Sequence, residues 1–259
     1  MFADRSMSYQ NDHVPRTRRR CLVCDRIIRL LGLALAASIM IPTAPSQADD
    51  VGARAGLASA LRLAPGALAD VHAIPVPRGG PLRAIWLARH PSADPTDASP
   101  TATLALVPAC DGCSPELLAV SNVDAVRPLA VVDLGGTGGT LPLAADADPE
   151  PAPRLRAELA HPALLLLARR DWGGGDWQDE AILCSLTLPP RLLWREPIRE
   201  HRPDGGGFDT IAAELEPADA RSTIVLHQTT LPGAGDQPFM PGPPLTLRYV
   251  YDGTVYRQD

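Results

Sequence analysis

The chain has 259 residues, a formal net charge of −6 and no lysine, so all 24 basic side chains are arginine. The acidic balance argues against a nucleic-acid-binding surface, and the missing amine excludes Schiff-base catalysis, a phosphate-loop lysine and a Ser-x-x-Lys nucleophile pair. The 28 prolines disfavour a long helical bundle, because each breaks helical hydrogen bonding.

The N-terminal region reads as an export signal. Arg16, Arg18, Arg19, Arg20, Arg26 and Arg29 precede an apolar run from Leu30 to Ile41, and Ser46-Gln47-Ala48 follows, then Asp49-Asp50. A basic flank, a short apolar stretch and a small-residue cut site are the parts of a signal peptide, here residues 1–48 with cleavage after Ala48. The run is shorter than the roughly 20 residues that span a bilayer, so no permanent membrane span is expected after cleavage. Thr17-Arg18-Arg19-Arg20 followed by Leu22 suits general secretion and is compatible with twin-arginine export. The expected location is periplasmic or secreted. Residues 1–48 carry seven Arg and three Asp, which leaves 17 basic and 27 acidic side chains, a charge of −10, in the mature part.

Residues 49–80 read as a helical or extended lead-in. Apolar side chains at helical spacing predict a short helix over 53–63, stopped by Pro65-Gly66. Short apolar runs then alternate with turn residues. They predict strands near 82–89, 102–109, 116–123, 128–134, 162–169, 179–186, 191–196, 209–215, 222–230, 245–251 and 254–257. Residues 142–153 read as a loop, and Arg154 to Ala160 as a helical turn or two. The expected fold is mainly β, a meander or sandwich of antiparallel sheets with one or two short helices, in a single domain over 81–259.

A faint repeat runs through that domain. Ile85-Trp86-Leu87-Ala88-Arg89-His90 resembles Leu165-Leu166-Leu167-Ala168-Arg169-Arg170, and each is followed by a cysteine-bearing strand and a Leu-Leu pair. The units would be 81–141, 161–216 and 221–259. An incomplete propeller-like β repeat is the alternative architecture, since a closed propeller needs about four blades or more. Asp111-Gly112 and Asp252-Gly253 mark tight turns, because both residue types tolerate positive φ.

Three segments carry candidate chemistry. Cys110-Asp111-Gly112-Cys113 is expected to form a disulfide in an oxidising compartment. Closing so small a ring stabilises by about 2 kcal/mol on the chain-entropy model, against about 4.5 kcal/mol for a bridge to Cys184. Proximity favours the Cys110–Cys113 pair and leaves Cys184 a buried free thiol. The functional alternative is a thioredoxin-like redox site, for which Ser114-Pro115-Glu116 would have to cap a helix. No second cysteine or histidine pair stands at zinc-ligand spacing, and no histidine follows Cys113 for haem attachment.

Asp133-Leu134-Gly135-Gly136-Thr137-Gly138-Gly139-Thr140 resembles the phosphate loop of sugar kinases with the actin-like fold, over these eight residues only. The resemblance implies a duplicated α/β architecture that the strand pattern lacks, so the segment reads as a glycine turn after a strand. Asp171-Trp172-Gly173-Gly174-Gly175-Asp176-Trp177-Gln178-Asp179-Glu180 places four carboxylates in ten residues. Asp171 and Asp179 have the outer spacing of integrin-type calcium loops, but Gly173 and Gly175 occupy its inner ligand positions. The segment therefore reads as a glycine-rich hairpin loop, and Trp172, Asp176, Trp177 and Asp179 as a ligand-contact loop that stacks on a sugar or grips a protein.

His72, His90, His161, His201 and His227 form no metal-type pair, and no Gly-x-Ser-x-Gly elbow or His-Glu-x-x-His helix occurs. No cofactor is implied. The sequence thus points to an exported acidic β-rich protein, a non-enzymatic binding or envelope accessory protein. Its loops at 90–101, 171–178 and 232–244 would contact a protein or glycan of the cell envelope. The alternatives are a periplasmic thiol–disulfide protein using Cys110 and Cys113, and a hydrolase built from Asp176, Asp179 and a distant histidine.

Overall fold

The computed structural model describes residues 47–74, 76, 80–92, 99–135, 138–143, 162–203, 205–217, 222–231 and 243–259. Outside these lie nearly all of the expected signal peptide, the expected helical turn over 154–160, His161, and most of the expected contact loop at 232–244.

Two antiparallel sheets make up the body. The first is a four-stranded meander in the order β1-β2-β3-β4, formed by β1 (Ala69–Ile74), β2 (Leu82–His90), β3 (Thr101–Pro108) and β4 (Glu116–Asn122). The second holds β5 (Ala125–Asp133), β6 (Gly139–Thr140), β7 (Pro162–Gly173), β8 (Asp176–Ser185), β9 (Leu192–His201), β10 (Gly207–Glu216), β11 (Thr223–Thr230), β12 (Leu245–Tyr251) and β13 (Tyr256–Gln258). Its order is β13-β12-β11-β10-β9-β8-β7-β5, with β6 pairing onto β10. The mainly β meander expected from the punctuation of the sequence is therefore present. Each expected strand has a counterpart, and β1 and β6 are additions. The lead-in over 49–80 supplies both β1 and the helix α1 (Gln47–Ala60) to the same compact unit.

Residue alternation explains how the layers stack. Successive strand side chains point to opposite faces. On the first sheet, Ile85, Leu87, Leu104 and Leu106 face Leu164, Leu166, Ile182 and Cys184 of β7 and β8. On its other face Trp86, Ala88 and Ala105 receive Leu57 and Ala58 of α1. The opposite face of β7 and β8, through Leu165, Leu167 and Leu183, belongs to a second core with Trp194, Leu215, Ile224, Leu226 and Tyr249. That core is enclosed because β13, at the end of the strand order, comes back against β9. The second sheet thus bends over itself without closing a barrel.

β7 is consequently buried on both faces. Leu164, Leu165 and Leu166 are each 0% exposed, which is why the segment reads as an unbroken apolar run rather than an alternating one. Burying each such side chain contributes about 1.5–3 kcal/mol. In the β9–β10 connection, Gly207 has φ +117° and a Cβ would overlap the Glu200 carbonyl oxygen. Only glycine fits there without strain.

Among the described residues, no helix is long and apolar enough to cross a membrane.

Candidate functional site at the β7–β8 hairpin tip

The segment expected as a loop over 171–178 is mostly strand. β7 runs to Gly173 and β8 begins at Asp176. Gly174 and Gly175 make the turn at φ +67° and +97°. Two residues that accept positive φ let the strands continue almost to the apex, so Trp177 and Asp179 stand in a ladder. Asp171 lies opposite Trp177, and Arg169 opposite Asp179.

That register builds a compact polar cluster. Arg169 donates to both oxygens of Asp179, Nε to Oδ1 at 2.7 Å and Nη2 to Oδ2 at 2.8 Å. The guanidinium also lies 4.3 Å from the centroid of the Trp177 ring. His201 of β9 stacks on Trp177, with centroids 5.5 Å apart and ring planes 22° apart. Asp179 is fully buried, and the side chain of Arg169 is 43% exposed. A buried carboxylate is tolerable here because a bidentate, charge-assisted pair compensates its lost hydration.

The charges extend across neighbouring strands. The registers place Arg169, Asp179, Arg199 and Asp209 in one row across β7, β8, β9 and β10. Arg199 donates Nε–H to Asp209 Oδ1 at 3.0 Å. Beside this row, Glu180 accepts from Arg195 Nε at 2.8 Å and lies 3.6 Å from Arg170. The connector before β5 anchors the tip, since Asp124 accepts from the Asp171 backbone N–H at 2.7 Å and donates its own N–H to the Arg169 carbonyl at 2.8 Å.

The four residues expected to form one contact loop are therefore divided. Trp177 and Asp179 are gathered by Arg169 into the base of the hairpin. Asp176 opens β8, half-buried, with its Oδ1 shielded and without a hydrogen-bond partner. Trp172 points outward and is 58% exposed. Both Asp179 oxygens are engaged by Arg169, so the calcium-loop reading loses one of its outer ligands. The hydrolase reading loses a free carboxylate for the same reason, although the structure does bring a distant histidine, His201, against Trp177. Arg169 and His201 are the site residues that sequence reasoning missed. Arg169 was legible in principle, because it and Asp179 lie symmetrically about Gly174. No local signal marked His201.

The remaining described histidines serve the framework. His90 is buried between the Pro91 carbonyl oxygen at 2.8 Å and Thr103 Oγ1 at 2.9 Å. His72 reaches the Val126 carbonyl oxygen at 3.0 Å, and His227 reaches Thr246 Oγ1 at 3.2 Å.

A partly buried carboxyl group lies beside Tyr249 of the second core. Glu196 of β9 hydrogen-bonds Tyr249, and burial followed by the charge of Glu180 raises its pKa above the usual carboxylate range. Burial, then the facing Glu196, pushes the Tyr249 hydroxyl above its ordinary value.

Cys110 and Cys113 lie at disulfide distance, with Cα atoms 5.6 Å apart, at the crest of the β3–β4 connection. Ser114-Pro115-Glu116 caps no helix, because Glu116 opens β4. The thioredoxin-like context therefore does not form. Cys184 is a buried free thiol whose pKa is pushed up to about 12 by burial.

Compared with known proteins, the chain matches no family model, no curated protein and no solved structure.

Proposed function

We propose that this chain is an exported binding or envelope accessory protein that engages a protein or glycan partner through the β7–β8 tip. The observation that carries the reading is the pairing of an outward Trp172, 58% exposed, with a tip braced by the Arg169–Asp179 pair and the Trp177–His201 stack. A large aromatic side chain on a braced support loses little conformational entropy on binding, and such residues dominate contact energies. Asp179 and Trp177 are held by neighbouring side chains, so they brace the contact surface and Trp172 makes the contact. The export expectation rests on the arginine-flanked apolar run and the Ser46-Gln47-Ala48 site.

The test is crosslinking in living cells from a photoreactive residue at exposed Pro203, beside the tip turn, together with a glycan screen of the purified protein. Trp172→Ala is expected to reduce capture of the partner or glycan by about tenfold or more, the size of a hot-spot loss, with the thermal midpoint unchanged. Equal capture by wild type and Trp172→Ala would exclude the tip as the contact surface. Material carrying residues before Leu30 after export would contradict the leader.

A further inference from the structure

We propose that the first part of β9, from Leu192 to Ile198, opens away from β12 and β13 as a local unit, and that the contact of Glu196 with Tyr249 is a latch that holds while Glu196 is protonated and slackens when it ionises. The inference is independent of the tip as a binding surface.

The backbone ties this stretch on one side. There β9 pairs with β8 from Leu192 to His201. On the other side, among the described residues, its ladder to β10 covers only Arg199, Glu200 and His201. β10 then takes other partners: Glu214 and Leu215 pair with β6, and the Leu141 N–H donates to the Ala213 carbonyl at 2.9 Å. Side chains bridge the seam instead. Gln228 of β11 donates through Nε2 to the Pro197 carbonyl at 3.1 Å and to Thr210 Oγ1 at 3.3 Å. The Trp194 ring meets Tyr249 edge-on, with centroids 5.6 Å apart. Pro197 has no N–H to offer a neighbouring strand, as suits an edge. A segment held by so few ladder bonds can open below the free energy of global unfolding.

Two polar groups gain from opening. Trp194 is 3% exposed, and its Nε1–H has no hydrogen-bond partner among the described residues, a cost that water relieves. Glu196 stands two residues along the same face of the strand, half-buried against Tyr249. Burial disfavours its carboxylate and Glu180 of β8 adds like charge. Together they outweigh the Tyr249 O–H donation, so the closed form holds the Glu196 proton above the ordinary glutamate range. The other facing groups are already engaged or neutral. Glu180 is paired with Arg195 and lies near Arg170 of β7. Asp209 of β10 is paired with Arg199, and the Tyr256 hydroxyl of β13 is shared with Ser222. Gln228 and Thr210 carry no charge. In the open form Glu196 meets water and ionises at its ordinary value. Opening therefore releases a proton between the two values and becomes easier as pH rises through them.

The experiment is native-state hydrogen exchange of the full chain, read by peptide mass at stepped pH and corrected for the exchange rate of an unstructured chain, with and without urea below the unfolding transition. Peptides across Leu192–Ile198 are compared with peptides across Ala163–Ala168 of β7. Protection in β9 is expected to be at least about tenfold lower than in β7, with a weak response to urea where β7 responds strongly. Raising the pH from about 5 to about 8 is expected to lower β9 protection by a further factor of about five or more. Equal protection and equal urea response in the two segments would mean that β9 opens only with the whole protein, and would overturn the proposal. Glu196→Gln is expected to remove the pH-dependent loss while β9 stays less protected than β7, and a loss that persists in this variant overturns the latch. Tyr249→Phe takes away the donor that favours the carboxylate, so the pH step is expected to move upward by about half a unit or more. An unmoved or downward step overturns the assigned contact.

Discussion

Along β7 and β8, the stretch from Ala163 to Ala168 and its partners are buried on both faces, whereas Arg169 to Gly173 opposite Asp176 to Asp179 carries charge. One pair of strands thus has two energetic regimes. The inner stretch is held by area removed from water, which is non-directional and tolerates conservative change in side-chain shape. The tip is held by a bidentate ion pair, a guanidinium–indole contact and an imidazole–indole stack, which depend on the register of particular atoms. The contrast teaches where each can vary. The inner half sustains the fold and offers nothing to a partner, while the outer half presents side chains to solvent on a backbone anchored by Asp124.

Five substitutions break or sharpen this contrast, from the largest effect to the smallest. Leu166→Ala opens a cavity in the core between the sheets and is expected to cost about 2–5 kcal/mol, read as a drop in denaturant midpoint. At the tip, Arg169→Met leaves the buried Asp179 carboxylate uncompensated, and about 3 kcal/mol is expected. Asp179→Asn leaves only the partly exposed Arg169 without its charge partner and is expected to cost less. Equal losses from these two variants would contradict the unequal burial of the pair.

Glu196→Gln addresses pH. The folded-state pKa of Glu196 is raised, so the folded protein holds that proton more tightly than the unfolded chain does. The contribution is fully present below the unfolded-chain value and is lost as pH rises through the folded value. Wild-type stability is therefore expected to fall across a window that starts near ordinary glutamate titration and extends upward. Glu196→Gln is expected to flatten that slope in denaturant titrations at stepped pH, and an unchanged slope would place the effect elsewhere. Trp172→Ala should have the smallest effect on stability, within about 0.5 kcal/mol, as for other surface positions. A larger loss would mean that Trp172 supports the hairpin as well as facing solvent.

Much of the strand pattern was legible in the sequence, because apolar alternation and Gly, Pro and Asp punctuation act over a few residues. Ile85-Trp86-Leu87 and Leu164-Leu165-Leu166 marked strands before any partner was known. β1 was harder to read, since Ala69-Asp70-Val71-His72-Ala73-Ile74 has little β-forming bias and becomes a strand by pairing with β2. The tip was misread as a loop because seven of the ten residues from Asp171 to Glu180 are Asp, Gly or Glu. Only the two-residue turn at Gly174-Gly175 reveals how far the strands extend.

The chain by itself determined that β strands dominate and that Cys110 and Cys113 are close enough to bond. These follow from side-chain period and short-range geometry. Only the tertiary structure decided that two sheets share a core through alternate faces of β7 and β8. It likewise decided that Arg169 engages both oxygens of Asp179, and that His201 reaches Trp177 from another strand. Such outcomes depend on strand order, and sheet pairing joins residues far apart in the chain with no local mark of their meeting.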